Sequence, residues 1–499
     1  MDMQFDKKPL QFLRKIVGQL RSQEQTSEVR LPDGLPDIGR VLGAWGQVIV
    51  RSKEWNSDRM TVSCGVMAWV LYAPEDEDGV RSVEAWLPFS MNWDLPDTKY
   101  DGKIMVSCQL HSVDARSISA RKLMVRASLG ALAEAWLQGE EVVSVPGDVP
   151  EDVKILTSSY PLLLPKEAGE KAFLLEEQVD FPASGPKAEK LLHYSLHPEI
   201  VDKKVMAGKV VFRGTAVVHL LYRGEDGSLC TWDYEFPFSQ YADLDGEYEE
   251  DATIFVQPCV TSLDMLLSED GSLQIKAGIL GQYLLYERSV LAVAEDAYSL
   301  RRTISLKQEE LQIPAVLDQV SQVIHGEQTV REDVQRIVDL AFFLESAYPE
   351  RAEDSVSLSI PGQFQMLYYD PEGELRCVNA PWKGEWSQRA AEACAVDMLV
   401  IPTGKPMGMI GAGSVNLRMD LTVNAATTSG QGFSMITGME MGEAEKPDPN
   451  RPSLILRRKG SDRLWDVAKK TNSTVEAIMT ANQLDGEPGD DCVLLIPVP

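Results

Sequence analysis

The apolar residues of this chain recur with two different periods. From Met60 to Leu71 and from Lys209 to Leu221 they tend to alternate with polar ones. In the second run Val210, Phe212, Ala216, Val218 and Leu220 fall on one side, and Arg213, Thr215 and His219 on the other. That pattern belongs to a strand with one buried face. Between Pro9 and Leu20 the spacing changes. Leu10, Leu13, Ile16, Val17 and Leu20 lie three or four positions apart, which predicts an amphipathic helix within residues 1–24. Its small excess of basic residues suits a docking peptide or a membrane-surface element, but packing on the first domain is the simpler expectation.

The last segment, residues 453–499, reads as a separate unit. Leu454 to Leu456 is strand-like, and Leu464, Trp465, Val467 and Ala468 form the apolar side of a short helix. Ser473-Thr474-Val475-Glu476 is a capping-box sequence for a second helix, with Ser473 as the expected cap. Cys492 to Pro497 returns as a strand. The prediction is a compact β-α-α-β module with Trp465 in its core.

The strand pattern repeats. Leu71-Tyr72, followed by an acidic turn closing at Gly79, is answered by Leu221-Tyr222 to Gly227 and by Leu367-Tyr368 to Gly373. Each is the chemistry of a hairpin. Leu87-Pro88-Phe89-Ser90 and Phe236-Pro237-Phe238-Ser239 mark the next strand, and Gly384-Glu385-Trp386-Ser387 stands in the third copy. A period near 150 residues is too long for a solenoid. The fold class is therefore mainly β, with tandem β-rich domains at 25–145, 146–305 and 306–441. Residues 442–452 read as a Pro-containing linker on which the small α+β module at 453–499 should swing freely.

Charge narrows the partners. The net charge is −28. Such a surface repels nucleic acid and anionic membranes, so proteins are the expected partners of the large N-terminal part. No apolar run is long enough to span a membrane, and residues 5–20 do not read as a signal peptide, so a cytoplasmic location is expected.

Candidate chemistry is sparse. Seven cysteines are scattered without a Cys-x-x-Cys pair and read as reduced thiols. His193 and His197 would share a helical face, but Pro198 interrupts a helix, and His219 reads as a lone strand-face residue, so no metal site is expected. Gly408 to Gly413 lacks a nucleotide-binding order, and no Gly-x-Ser-x-Gly elbow is present. The acidic turns at 75–78 and 225–226 do not have the spacing of an EF-hand loop and read as solvated hairpin tips. No catalytic set and no cofactor are expected, and the chain reads as a non-enzyme.

Two resemblances add to this. Lys459 to Ala468, Thr474-Val475 with Ile478, Asn482-Gln483-Leu484 and Leu494 to Pro497 together resemble a LysM domain. The first turn has one residue more than that family's usual form. The resemblance implies a groove for N-acetylglucosamine polymers, or for a protein, formed by Gly460, Ser461, Asp462, Arg463, Leu464, Asn482, Gln483 and Leu484. Asp462, Arg463, Asn482 and Gln483 are its expected exposed contacts. Glu28 to Pro32, Leu35 to Leu42, the Leu-Tyr hairpin, the Pro-Phe-Ser strand and Arg121 to Ala127 are similar to a SPOCS domain of clostridial spore-coat morphogenetic proteins. Tandem SPOCS-like domains followed by a LysM-like module resemble SipL-type proteins. That resemblance implies a scaffold or adaptor in spore-coat assembly, acting in the mother-cell cytoplasm at the forespore surface. It implies spore-coat morphogenetic proteins as partners, among them the coat ATPase of the forespore surface. The other reading is a cell-wall protein that holds peptidoglycan.

Overall fold

The computed structural model describes residues 2–96, 102–145, 148–392, 394–444, 452–490 and 492–498. These residues are mainly β, with two short helices near the C-terminal end. After β1 (Asp2–Gln4), the first unit opens with a long strand, β2 (Asp6–Arg30). A meander follows: β3 (Ile38–Asn56), β4 (Arg59–Pro74) and β5 (Arg81–Asp94). A hairpin of β6 (Lys103–Ser119) and β7 (Lys122–Val145) completes it. The second unit repeats that order in β8 (Val153–Val179), β9 (Ala188–Met206), β10 (Lys209–Gly224), β11 (Leu229–Asp243), β12 (Thr253–Leu267) and β13 (Leu273–Ser299). The third begins with β14 (Ile304–Val330). Its first meander strand is broken into β15 (Arg336–Leu344) and β16 (Tyr348–Ala352), before β17 (Ser355–Tyr369), β18 (Leu375–Arg389), β19 (Cys394–Gly411) and β20 (Ser414–Met441).

Each unit holds two sheets. The meander is one, and the other joins the long strand to the hairpin: β2-β7-β6, β8-β13-β12 and β14-β20-β19, the last two continuous through the pairing of β14 with β8 at Val316 and Leu163. Alternation builds the cores. On β5, Ala85, Leu87, Phe89, Met91 and Trp93 are buried and their neighbours exposed. They pack on Val125, Ala127 and Leu129 of β7. The three hairpin glycines, Gly79, Gly227 and Gly373, have φ of 93°, 80° and 85°, a conformation that glycine adopts freely. The third unit thus follows the same strand order as the other two although its motifs are degenerate.

Residues 9–20, expected to be helical, lie inside β2. Two features give a strand this helix-like spacing. A bulge between Lys15 and Val17 inserts a residue against β7 and changes which side faces inward. The strand is also covered on both sides. Phe12 packs in a cluster with Leu164 and Ile313, and Leu13 in another with Met105 and Trp136. Pro9 is tolerated because β2 is an edge strand, paired only with β7.

The three units close on one another. The far ends of their long strands share a core of Phe12 and Val143, Leu164 and Val293, and Ile313 and Phe433, one pair from each unit. The meanders meet around a second core that contains the three motif leucines, Leu71, Leu221 and Leu367. β1 pairs with β20, Asp2 opposite Glu440, so the start of the chain is held by the third unit.

The C-terminal module consists of β21 (Leu454–Arg458), α1 (Leu464–Thr471), α2 (Val475–Asn482) and β22 (Val493–Pro497), with β21 antiparallel to β22. The expected linker lies mostly outside the described residues. The module does not stand apart. Tyr298, Leu156 and Leu300 of the second unit join its apolar core, and Tyr298 Oη donates to Ser473 O at 2.8 Å. The cap of α2 is Thr474, whose Oγ1 accepts from Ala477 N, and not Ser473. Ser473 is instead buried and donates its hydroxyl to Pro497 O.

Candidate functional site

Two places concentrate polar groups that the fold alone does not require. The first is the pair of turns in the module, residues 459–463 and 483–490. Gly460 has φ 64° with open space where a Cβ would sit, so it serves the turn. Ser461 and Arg463 are exposed, and Arg463 N donates to Asp466 Oδ2 at the start of α1. Asp462 pairs with Lys470 at 2.7 Å and with Arg457 at 3.5 Å, and the Lys470 hydrogen bond lowers its pKa. Leu464 is buried, and its amide donates to Glu487 Oε1 at 2.8 Å. Gln483 is the exposed left-handed cap of α2, and Leu484 packs on the module core.

Asn482 corrects an expectation. Its Nδ2 donates to Ile478 O and to Leu495 O, and its Oδ1 accepts from Leu495 N at 2.8 Å. The side chain pins α2 to β22 and is not a free groove contact. Lys459 was not foreseen. It is buried, donates from Nζ to Pro488 O at 3.1 Å and pairs with Glu487 at 3.3 Å. Lys459 and Glu487 therefore clasp the two turns together. Of the eight predicted groove residues, Ser461, Arg463 and Gln483 present exposed side chains. Trp465 is buried against Tyr298, ring centroids 4.8 Å apart, and its Nε1 donates to Asp296 Oδ2 at 2.8 Å. It joins the module core to the second unit.

The second place lies where the three meanders meet. His193 of β9 and His219 of β10 are diagonal neighbours on one face, because His193 is opposite Leu221 and His219 opposite Ser195. Across the junction, a bulge between Ile337 and Asp339 in the β15 register aims Asp339 at them. His193 Nε2 lies 2.6 Å from Asp339 Oδ2, and His219 Nε2 lies 2.8 Å from Asp339 Oδ1. His219 Nδ1 is 2.6 Å from Asp233 Oδ1 on β11, and Lys405 of the third unit pairs with Asp233. Trp45 of the first unit stacks on His193, 5.0 Å between centroids and 12° between planes.

The repeat explains the convergence. Gly43, His193 and Asp339 each stand opposite the motif leucine of their own unit. Trp69, His219 and Gln365 each lie two residues before it. Equivalent positions of the three units thus face one another, and the chain fills them with different groups. Opposite Trp69 is Glu84, and opposite His219 is Asp233, each taking a hydrogen bond from the ring beside it.

Electrostatics at this junction follow from burial and pairing. Burial lowers the His219 pKa, but the Asp339 charge and the hydrogen bonds to Asp233 and Asp339 outweigh it, pushing it up to about 10. Burial raises Asp339, and the two histidines more than reverse that, holding it well below the usual carboxylate range. His193 is lowered, chiefly by burial. The chain of groups can hold a proton between two carboxylates, and two imidazoles with one carboxylate also form a metal-ligand set. As Pro198 suggests, His193 and His197 do not share a helix and both lie on β9, but His219 is not a lone strand-face residue: it meets His193 and Asp339.

Known proteins give a partial answer. Residues 37–118 and 187–266 match the family model described as SipL, SPOCS domain. These segments take in the meander and all but the last residue of the following strand, β6 or β12, in the first two units. Together they cover about a third of the chain. No curated protein and no solved structure gives a match. No described helix is long and apolar enough to cross a membrane. The first two units thus each carry a SPOCS domain match of the SipL type, which relates the chain to sporulation proteins.

Proposed function

We propose that this chain is a non-enzymatic scaffold of spore-coat assembly, docking coat proteins through its C-terminal module and its SPOCS domains. Its main support is the SPOCS match in two of the three units. On this reading the module is a LysM-type fold turned to protein docking. The protein acts in the mother-cell cytoplasm at the forespore surface, with a coat morphogenetic protein such as the forespore-surface ATPase as partner.

Two features of the module favour a protein partner over peptidoglycan. Lys459, Glu487 and Asn482 spend their polar groups on the module itself. The outer side of the β21–β22 ribbon meanwhile exposes Leu454, Leu456 and Val493, with Leu456 71% accessible. Apolar side chains on a small ribbon suit a protein partner better than a sugar chain.

The deciding experiment compares the full chain with its Leu456→Asp variant. Both are used to capture coat proteins from sporulating-cell extract, and both are sedimented with peptidoglycan. The expected result is loss of a coat protein, by about tenfold or more for a central apolar contact, with no sedimentation of either chain. Sedimentation of both chains, with capture unchanged by the substitution, would overturn the reading in favour of glycan anchoring.

A further inference from the structure

We propose that His193, His219 and Asp339 bind one divalent transition-metal ion of the zinc class at the junction of the three units. The ion would be a structural clasp between β9 and β10 of the second unit and β15 of the third.

The donor atoms are already gathered. Both histidines direct Nε2 at the same carboxylate, and the three ligand atoms lie within 4.8 Å of one another. Zinc bound by imidazole and carboxylate sits about 2.0–2.2 Å from each atom, so tetrahedral ligands are about 3.3 Å apart. The present separations are 2.6 and 2.8 Å. Each histidine nitrogen needs to part from the carboxylate by only about 0.5–0.7 Å to admit the ion. Its entry displaces the proton on His219 Nε2 to solvent, and the proton that His193 Nε2 shares with Asp339 moves to Nδ1, which frees both Nε2 lone pairs for the ion.

The surroundings are those of a ligand set. A metal-bound histidine usually holds its second nitrogen on a carboxylate, which fixes the tautomer and the ring. His219 Nδ1 does this with Asp233, which Lys405 holds in turn. Leu340 N donates to Asp339 Oδ1 at 2.8 Å. Stacking on Trp45 fixes the plane of His193. The Trp45 indole N–H is buried without a hydrogen-bond partner, a donor left over at the same junction. Access exists as well. The side chains of His193 and Asp339 are 3% and 1% exposed, but that of His219 is 26% exposed, beside the open Lys405.

The full-length chain is stripped with a chelator and titrated with Zn2+ against a chromophoric competitor. Co2+ is then substituted for its visible spectrum. The expected result is one equivalent bound, a tetrahedral Co2+ spectrum without a thiolate charge-transfer band, and a higher melting temperature. Asp233→Asn should weaken binding 10–100-fold as a positioning change. His219→Gln should abolish it, and His325→Gln, at an exposed histidine elsewhere, should leave it unchanged. Should His219→Gln fail to fold, Asp233→Asn decides. No binding against the competitor, a thiolate band from any of the seven free cysteines, or an affinity untouched by Asp233→Asn would each overturn the proposal.

Discussion

His111 lies at another seam, between the first and third units, where its Nε2 is 3.0 Å from Ser346 Oγ. Burial lowers its pKa to about 4 from an ordinary value near 6.5. A depressed histidine favours the neutral form in the fold. Its stabilisation is whole above pH 6.5 and is lost as pH falls from there toward 4. Melting temperature should therefore drop across that window, and His111→Gln should flatten part of the slope. An unchanged slope in the variant would refute this role. The neighbouring Gly130 leaves the ring its place: a Cβ there would meet His111 Nε2 at 2.2 Å. Gly130→Ala should cost about 1–3 kcal/mol by overpacking, read by chemical denaturation. At this scale the sequence tells less than the fold. The motif leucines and tyrosines are legible because they recur. The partnership of His193 with Asp339 spans 146 residues and depends on a bulge, so no local pattern announces it. Superposing the repeats on their Leu-Tyr motifs would have singled out His219, which stands where Trp69 and Gln365 stand.

Among the elements, α1 shows how a small module is tied to a large body. Trp465 and Lys469 both reach Asp296 on β13, the lysine Nζ at 2.7 Å from Oδ1. Trp465→Ala removes a buried ring and should destabilise the module by about 3–5 kcal/mol. Asp296→Ala leaves the module core intact and should instead release it from the second unit. Hydrogen exchange would then rise around Tyr298 and α1 but not along α2, and equal rises in both would count against a docking role. The order of strands and helices in this module was readable because apolar spacing and caps are local signals. Its docking was not, since Trp465 and Ile478 look alike as core residues, and only the partner strand shows that the tryptophan also faces outward. The same limit explains β2. Leu10, Leu13 and Val17 carry a helical period because a bulge and two-sided burial break the alternation, and neither is visible without β7 and the neighbouring units.

For the whole molecule, self-repulsion is the first consequence of a net charge of −28. Raising ionic strength from about 10 to 150 mM shortens the screening length from about 30 to 8 Å, so the melting temperature should rise over that range. A melting temperature indifferent to salt would mean that the acidic groups are already neutralised by the pairs within the fold. The long strands set a second property. β8, β13 and β14 have 27 residues each and β20 has 28, about 90 Å at the usual rise. Their pairings join residues far apart in sequence, which makes for slow folding. One edge lane of the largest sheet is the one beside β20, where Asp2–Gln4 lie, with Phe5 packed among Ile436 and Met439. This is a hook, β1, seated in an eye formed by the third unit. Where many copies are crowded on one surface, the hook of one can enter the eye of the next, since the two seats are chemically identical. Made reciprocally, such an exchange closes a dimer; made head-to-tail, it closes a ring or runs on as a chain of molecules. Copies of the chain would then link to one another through residues that each copy already uses to close its own fold.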